Sequence, residues 1–200
     1  MPSKNGFIIE AKGENILQNI DAILSYVYEY HSSFNEGYCI VRRGNRYGIV
    51  NLCLELRVPT IYEAIEEVTE TYAVARYDGK YHYIAMEEYG NPYRIPMEFD
   101  NARRICNGIG VVTVNGKKGL FSVKSGTLVL PCEYDSILDF SLNRSYTFVQ
   151  KDGLWGLVNK SGEIFVKPTF EKVDTCQARA WIGKNEYRIA SDGKYKIIEE

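Results

Sequence analysis

The sequence predicts an all-β fold of tandem antiparallel hairpins, and three observations predict it. A unit recurs along the chain, with Gly119 and Gly156 standing 37 positions apart in equivalent contexts and a Ser-Gly pair repeating at 36 (Ser125-Gly126, Ser161-Gly162). Asp78-Gly79, Asn115-Gly116 and Asp152-Gly153 sit between runs rich in apolar and aromatic residues, and such pairs suit two-residue hairpin turns that need positive φ at both central positions. Tyrosine supplies 16 of the 200 residues, and its ring suits half-buried pleated surfaces.

Each copy reads as three short strands. In the clearest, a strand from Tyr146 to Lys151 meets Asp152-Gly153, and a second strand carries Trp155-Gly156. Lys160-Ser161-Gly162 then turns into a third, β-branched strand, Glu163 to Val166. Arg46-Tyr47-Gly48 and Lys117-Lys118-Gly119 are further copies, and Lys80-Tyr81-His82 is another, with histidine in the glycine position. Gly6-Phe7-Ile8-Ile9 opens a truncated first copy, and Asn185-Glu186-Tyr187 a decayed last one, giving about six in all. Pro59, Pro96, Pro131 and Pro168 end the pairing because proline has no N–H to give, and each is followed within three residues by a ring: Tyr62, Phe99, Tyr134 or Phe170. Glycine weakens a strand unless something must approach its backbone closely, so these linker rings are expected to lie over the glycines and staple units together. Tandem units covering residues 1–200 form one domain. Their ends are not complementary, which favours an open stacked array over a closed small propeller.

These residues resemble the bacterial WG-repeat (KWG) family. Its unit runs from an Asp-Gly turn through Lys-Trp-Gly, Asp/Asn-Lys-Ser-Gly and a β-branched strand to Pro-Pro and Tyr-Asp. Asp152 to Phe170 matches well, Gly116 to Asp135 nearly as well, and Phe34-Asn35-Glu36-Gly37-Tyr38 looks like the Phe-x-Glu-Gly entry to a first strand. Only Trp155 supplies the namesake tryptophan, and Asn51 to Leu56 lacks the Ser-Gly turn. The resemblance implies a fold and little chemistry.

Composition narrows function mainly by exclusion. A net charge of −2 gives no drive towards nucleic acid or an anionic membrane. Residues 1–100 hold 9 Lys/Arg against 15 Asp/Glu and residues 101–200 hold 15 against 11, which reads as solvated faces or as head-to-tail contact. Five cysteines lack metal-ligand or redox spacing and read as small buried hydrophobes in a reducing compartment. The N-terminus has no apolar signal-type segment, so a soluble, cytoplasmic chain is expected.

His31 and His82 are the only histidines, and neither stands beside a nucleophile-elbow, phosphate-loop or metal-ligand pattern, so no catalytic residue, metal or cofactor is expected. His82 reads as a decayed glycine position with a partly exposed ring. The stretch Tyr26-Val27-Tyr28-Glu29-Tyr30-His31 lies where the repeat spacing lengthens; it serves either as a contact surface or as an extra strand or helical turn that packs Tyr26 and Tyr30 inward. Candidate partner-binding residues are therefore Tyr26, Tyr28, Tyr30, His31 and His82. A protein or peptide partner is expected, with a glycan as the alternative and an enzyme using His31 or His82 as a third reading.

Overall fold

A computed structural model describes residues 16–86, 91–106, 108–140 and 143–198. The truncated first copy, including Gly6 to Ile9, lies outside them. Helix α1 (Ile16–Val27) leads into five small antiparallel sheets. Sheet 1 is β1 (Tyr30–His31), β2 (Tyr38–Arg43), β3 (Arg46–Asn51) and β4 (Leu56–Tyr62). Sheet 2 is β5 (Ala64–Val68), β6 (Tyr72–Tyr77), β7 (Lys80–Ala85) and β8 (Tyr93–Arg94); sheet 3 is β9 (Asn101–Cys106), β10 (Ile109–Val114), β11 (Lys117–Ser122) and β12 (Thr127–Tyr134). Sheet 4 is β13 (Ser136–Ile137), β14 (Tyr146–Lys151), β15 (Leu154–Asn159) and β16 (Ile164–Phe170). Sheet 5 is β17 (Lys172–Asp174), β18 (Arg179–Ile182), β19 (Asn185–Ile189) and β20 (Tyr195–Ile197). The three strands expected per copy are present, and the segment read as a linker adds a fourth along the leading edge of each sheet.

Turn chemistry follows the sequence. Asp78, Asn115 and Asp152 all have positive φ, as do the glycines after them, which is the geometry of the two-residue hairpin turn. Glu36 and Gly37 likewise turn the chain into β2. The central strands are buried on both faces, as Tyr72 to Ala75 and Tyr146 to Val149 show, because each sheet stacks on the next. There is accordingly no single core. Apolar clusters lie one per junction, each mixing residues of two adjoining sheets: Tyr62 with Ile65 and Ala75, Phe99 with Val112 and Phe121, Tyr134 with Ile137 and Val149, Phe170 with Ala180 and Ile189.

The array is open, and its two ends are finished differently. On the outer face of sheet 1, helix α1 lays Leu24 and Ile20, one turn apart, over Cys39, Val41 and Val50. At the far end the outer face of sheet 5 carries Arg179, Glu186, Arg188 and Lys196. A polar outer face is how a repeat stack ends without exposing a core. Among the described residues no helix is long and apolar enough to cross a membrane.

The glycine beside the aromatic position has a different cause from the one expected. A Cβ on Gly156 would lie 2.5 Å from the Val166 carbonyl oxygen and 2.8 Å from the Pro168 nitrogen. The same holds at Gly48 and Gly119, where the carbonyls of Val58 and Leu130 lie 2.6 Å from the Cβ position. What covers each glycine is therefore the backbone of its own fourth strand, bulged between Phe170 and Val166 opposite Trp155 and Leu157, and not a ring. The linker rings do staple neighbouring sheets, but from beside the glycine: Phe170 pairs with Trp155 and is fully buried against sheet 5.

A carboxylate follows each linker ring and clips one unit to the next. Asp100 accepts from Lys80 Nζ of sheet 2 (2.5 Å) and from the Asn115 N–H in the turn of sheet 3 (2.6 Å). Asp135 does the same with Lys117 and with the Asp152 N–H (2.8 Å). Glu63 and Glu171 reach the N–H groups of Gly79 and Gly183. Thus the Lys of the Lys-Trp-Gly position and the acid of the Tyr-Asp position are one device. The lysine partner and turn N–H hold the carboxyls of Asp100 and Asp135 below the usual carboxylate range. A carboxyl depressed on folding stabilises the fold above its unfolded value and loses that contribution as pH falls through the folded value. We expect the urea midpoint to fall below about pH 4, and to fall less steeply in an Asp100→Asn/Asp135→Asn protein measured from pH 7 to pH 2.5. Parallel curves would show that the clips contribute nothing.

Cysteine placement departs from the expectation of buried hydrophobes. Cys39 is buried, but Cys132 is only half-buried and Cys53 and Cys176 are exposed; all four are free thiols. Burial pushes the Cys39 thiol up, opposed by the hydrogen bond it accepts from Ser32 Oγ.

Candidate functional site

Helix α1 and β1 place the tyrosine-rich stretch, and they aim its members differently. Leu24 faces sheet 1, so Tyr26, two residues on, points away from it and is 92% exposed. Tyr30 at the edge of sheet 1 is 47% exposed. The inward packing weighed for these two rings is not what the chain does. Tyr28 is half-buried on the outer face of sheet 1, with the Arg43 guanidinium 5.2 Å from its ring centroid.

His31 joins the helix to β1. Its Nδ1 lies 3.2 Å from the Ser32 carbonyl, which can only accept, so Nδ1 is the donor there, and Nε2 lies 3.1 Å from Ser25 Oγ. This serine–histidine contact has a backbone carbonyl, not a carboxylate, on the far side of the ring.

A second set of rings lies on the other face of sheet 1, along its junction with sheet 2. Tyr30, Arg42, Tyr47 and Tyr62 form one cross-strand row. Tyr30 and Tyr47 meet edge to face at 6.5 Å across Arg42, whose buried Nε has no hydrogen-bond partner. Tyr62 meets Tyr77 at 6.0 Å, the Arg94 guanidinium sits 4.8 Å from the Tyr77 centroid, and His82 lies 6.4 Å from Tyr77. Burial pushes the Tyr62 phenol up, with Arg94 opposing. Beside Tyr77 an open groove of about 500 Å³ is lined by Arg46, Thr60, Ile61, Glu63 and Asp78. In the sequence Tyr47 and Tyr62 stand out only as repeat landmarks, and Tyr77 and Arg94 do not stand out at all. Tyr77 stands immediately before the Asp-Gly turn, and that spacing was the available signal.

His82 corrects the sequence expectation. Its ring is 2% exposed, and neither nitrogen has a hydrogen-bond partner. A side chain where sheets 1, 3 and 4 have Gly48, Gly119 and Gly156 displaces the bulged strand opposite. Strand β8 shrinks to Tyr93–Arg94, and the chain turns tightly through Pro96, closed by the Met97 N–H to the Ile95 carbonyl (2.8 Å). The structure therefore groups Tyr26, Tyr28, Tyr30 and His31 at one end and separates His82 from them beneath Tyr77. Among the described residues no three His, Cys, Asp or Glu side chains converge as a metal site.

Helix-capped sheets, stacked without closure, define an open β-repeat array with aromatic surfaces at its N-terminal end. The family described as WG containing repeat matches residues 22–47, 124–155 and 155–175, so these three segments are repeats of the WG type. Residues 48–123, which contain His82 and the shortened β8, fall outside the matches. No curated protein matches in sequence. Among solved structures, Kluyveromyces lactis Hsv2p is similar at 12% identity and a TM-score of 0.43, over 84% of this chain and 60% of that one. The computationally designed Ika4 protein is similar at 13% identity and a TM-score of 0.32, over 68% of this chain and 90% of that one. The chain spans 48–60% of the length of the Hsv2 structures it matches. Likeness of this degree says nothing of function.

Proposed function

We propose that the chain is a non-catalytic interaction module that takes up a protein or peptide segment at its N-terminal end. The observation that carries this reading is the exposure of Tyr26, Val27 and Tyr30, within five residues of chain at one end of the array, at 92%, 40% and 47%. Tyrosine contributes a large, rigid ring that loses little entropy on docking, which is why it anchors interfaces, whereas isolated exposed apolar side chains carry no such meaning. Arg43 over Tyr28 and Tyr47 against Tyr30 hold the surroundings rigid, so the surface is formed before a partner arrives.

The test is selection from a displayed random-peptide library, followed by titration of the enriched peptides. A Tyr26→Ala/Tyr30→Ala protein should bind them at least about tenfold more weakly, a loss of about 1.4 kcal/mol or more, with an unchanged thermal melt. Peptides that bind both proteins alike would place the surface elsewhere. Glycan-array signal that disappears in the same variant would replace the peptide reading with a carbohydrate one.

A further inference from the structure

The outer edges of the five sheets are not equivalent. Apart from Pro2, every proline in the chain lies in or beside the fourth strand of a sheet: Pro59 in β4, Pro92 and Pro96 flanking β8, Pro131 in β12 and Pro168 in β16. Proline on an edge removes an N–H that another strand could use, and so blunts the edge. Strand β20, the fourth strand of sheet 5, has no proline.

Its free groups follow from its hydrogen bonds to β19. The Ile198 N–H donates to the Glu186 carbonyl and the Ala190 N–H donates to the Lys194 carbonyl, both at 2.8 Å. In an antiparallel pair the bonding direction alternates, so residues 194, 196 and 198 bond inward while the N–H and C=O groups of Tyr195 and Ile197 point off the edge. Tyr195, Ile197 and Ile198 are 46%, 43% and 39% exposed. An edge with apolar side chains, outward amides and no proline is the condition for strand addition.

Charge identifies what would be added. Arg179 stands opposite Arg188, and Arg188 opposite Lys196, so three cations form one cross-strand row that ends at the open edge. Like charges directly opposite one another are unfavourable. Glu186 neutralises Arg179 (2.5 Å), and neither Arg188 nor Lys196 has an ion pair among the described residues. The row lines an open groove of about 980 Å³ with Gln177 and Ile198.

We propose that β20 accepts an extended peptide strand whose side chains alternate between apolar and acidic, with a carboxylate extending the row beyond Lys196. The site is at the opposite end of the array from Tyr26 and Tyr30, so either can fail without the other. Anisotropy titration with a fluorescein-labelled peptide of alternating valine and glutamate should saturate, and a valine–lysine peptide should bind at least about tenfold more weakly. Ile197→Pro, which deletes one outward N–H at the last strand, and Arg188→Glu/Lys196→Glu should each weaken the glutamate peptide about tenfold or more, with melting temperatures unchanged. Equal binding of both peptides, or full binding by Ile197→Pro, would overturn the proposal. So would sedimentation showing wild-type dimers that Ile197→Pro dissolves and the peptide cannot compete, because a second copy would then be the occupant.

Discussion

Replacing Gly156 with valine is expected to destabilise the protein by about 3 kcal/mol or more, read as a shift in the urea midpoint, and to leave Ser161→Ala within about 0.5 kcal/mol of the parent. Both atoms that a Cβ would strike at Gly156, the Val166 oxygen and the Pro168 nitrogen, are backbone, so no side chain can swing aside to relieve the clash. Relief would require the bulge at Lys167 to flatten, which would drag Phe170 from its fully buried place against sheet 5. Ser161, by contrast, is an exposed turn residue whose hydroxyl donates to Asn159 Oδ1 at 2.7 Å. Gly153→Ala separates packing from conformation: nothing lies within 4 Å of its Cβ position, but φ is +80°, so its cost of about 1 kcal/mol would be backbone strain alone. If Gly156→Val and Ser161→Ala melt alike, the bulge is not what the glycine serves.

Phe121→Ala should be of similar size, about 3–5 kcal/mol. Phe121 of sheet 3 is fully buried and stacks on Tyr83 of sheet 2, with centroids 5.3 Å apart and planes within 4°, while Phe99 meets it edge-on at 5.2 Å. Tyr83 cannot follow the truncated side chain into the gap, because its hydroxyl donates to the Arg103 carbonyl at 2.9 Å and burial already pushes its phenol up. This junction thus has little means of collapsing around the loss, the circumstance in which large-to-small substitutions cost most. Because each junction has its own cluster, the weakened one should open first, and urea curves followed by tyrosine fluorescence and by the fluorescence of Trp155 and Trp181, in sheets 4 and 5, should separate. A single coincident transition would indicate that the five sheets unfold as one.

The repeat was legible because its turns are chemically narrow. Asp-Gly, Asn-Gly and Ser-Gly announce positive φ, whereas Pro59, Pro131 and Pro168 do not end the pairing as expected: they lie inside β4, β12 and β16, which bulge there and pair again at Tyr62, Tyr134 and Phe170. What was hidden depended on contacts between copies. The short leading strand Ser136–Ile137 gains its place from the neighbour it pairs with and has no strong pattern of its own. The turn at Asn51 to Glu55 seemed lost for want of Ser-Gly, yet Asn51 Oδ1 accepts from the Cys53 and Glu55 N–H groups just as Asn159 Oδ1 accepts from Ser161 and Glu163. Asparagine, with glutamate four residues later, defines that turn, and Leu54 takes the left-handed φ of +61° that glycine would otherwise hold. At the candidate site Tyr26 lies on a twelve-residue helix and Tyr30 on a short edge strand, whereas the local sequence leaves a contact surface, an extra strand and a helical turn all open. The burial of His82 could not be read locally either, since it depends on where the opposite chain detours.

The distinct finishes at the two ends carry a consequence for how such a molecule can change length. An interior sheet meets its own kind on both sides, through one ring cluster and one carboxylate clip at each junction, whereas the helix-covered and the charged faces fit nothing within the series. Duplicating a unit between sheets 3 and 4 would therefore lengthen the protein while leaving both terminal surfaces as they are, and the distance between them would become a quantity that gene duplication can set.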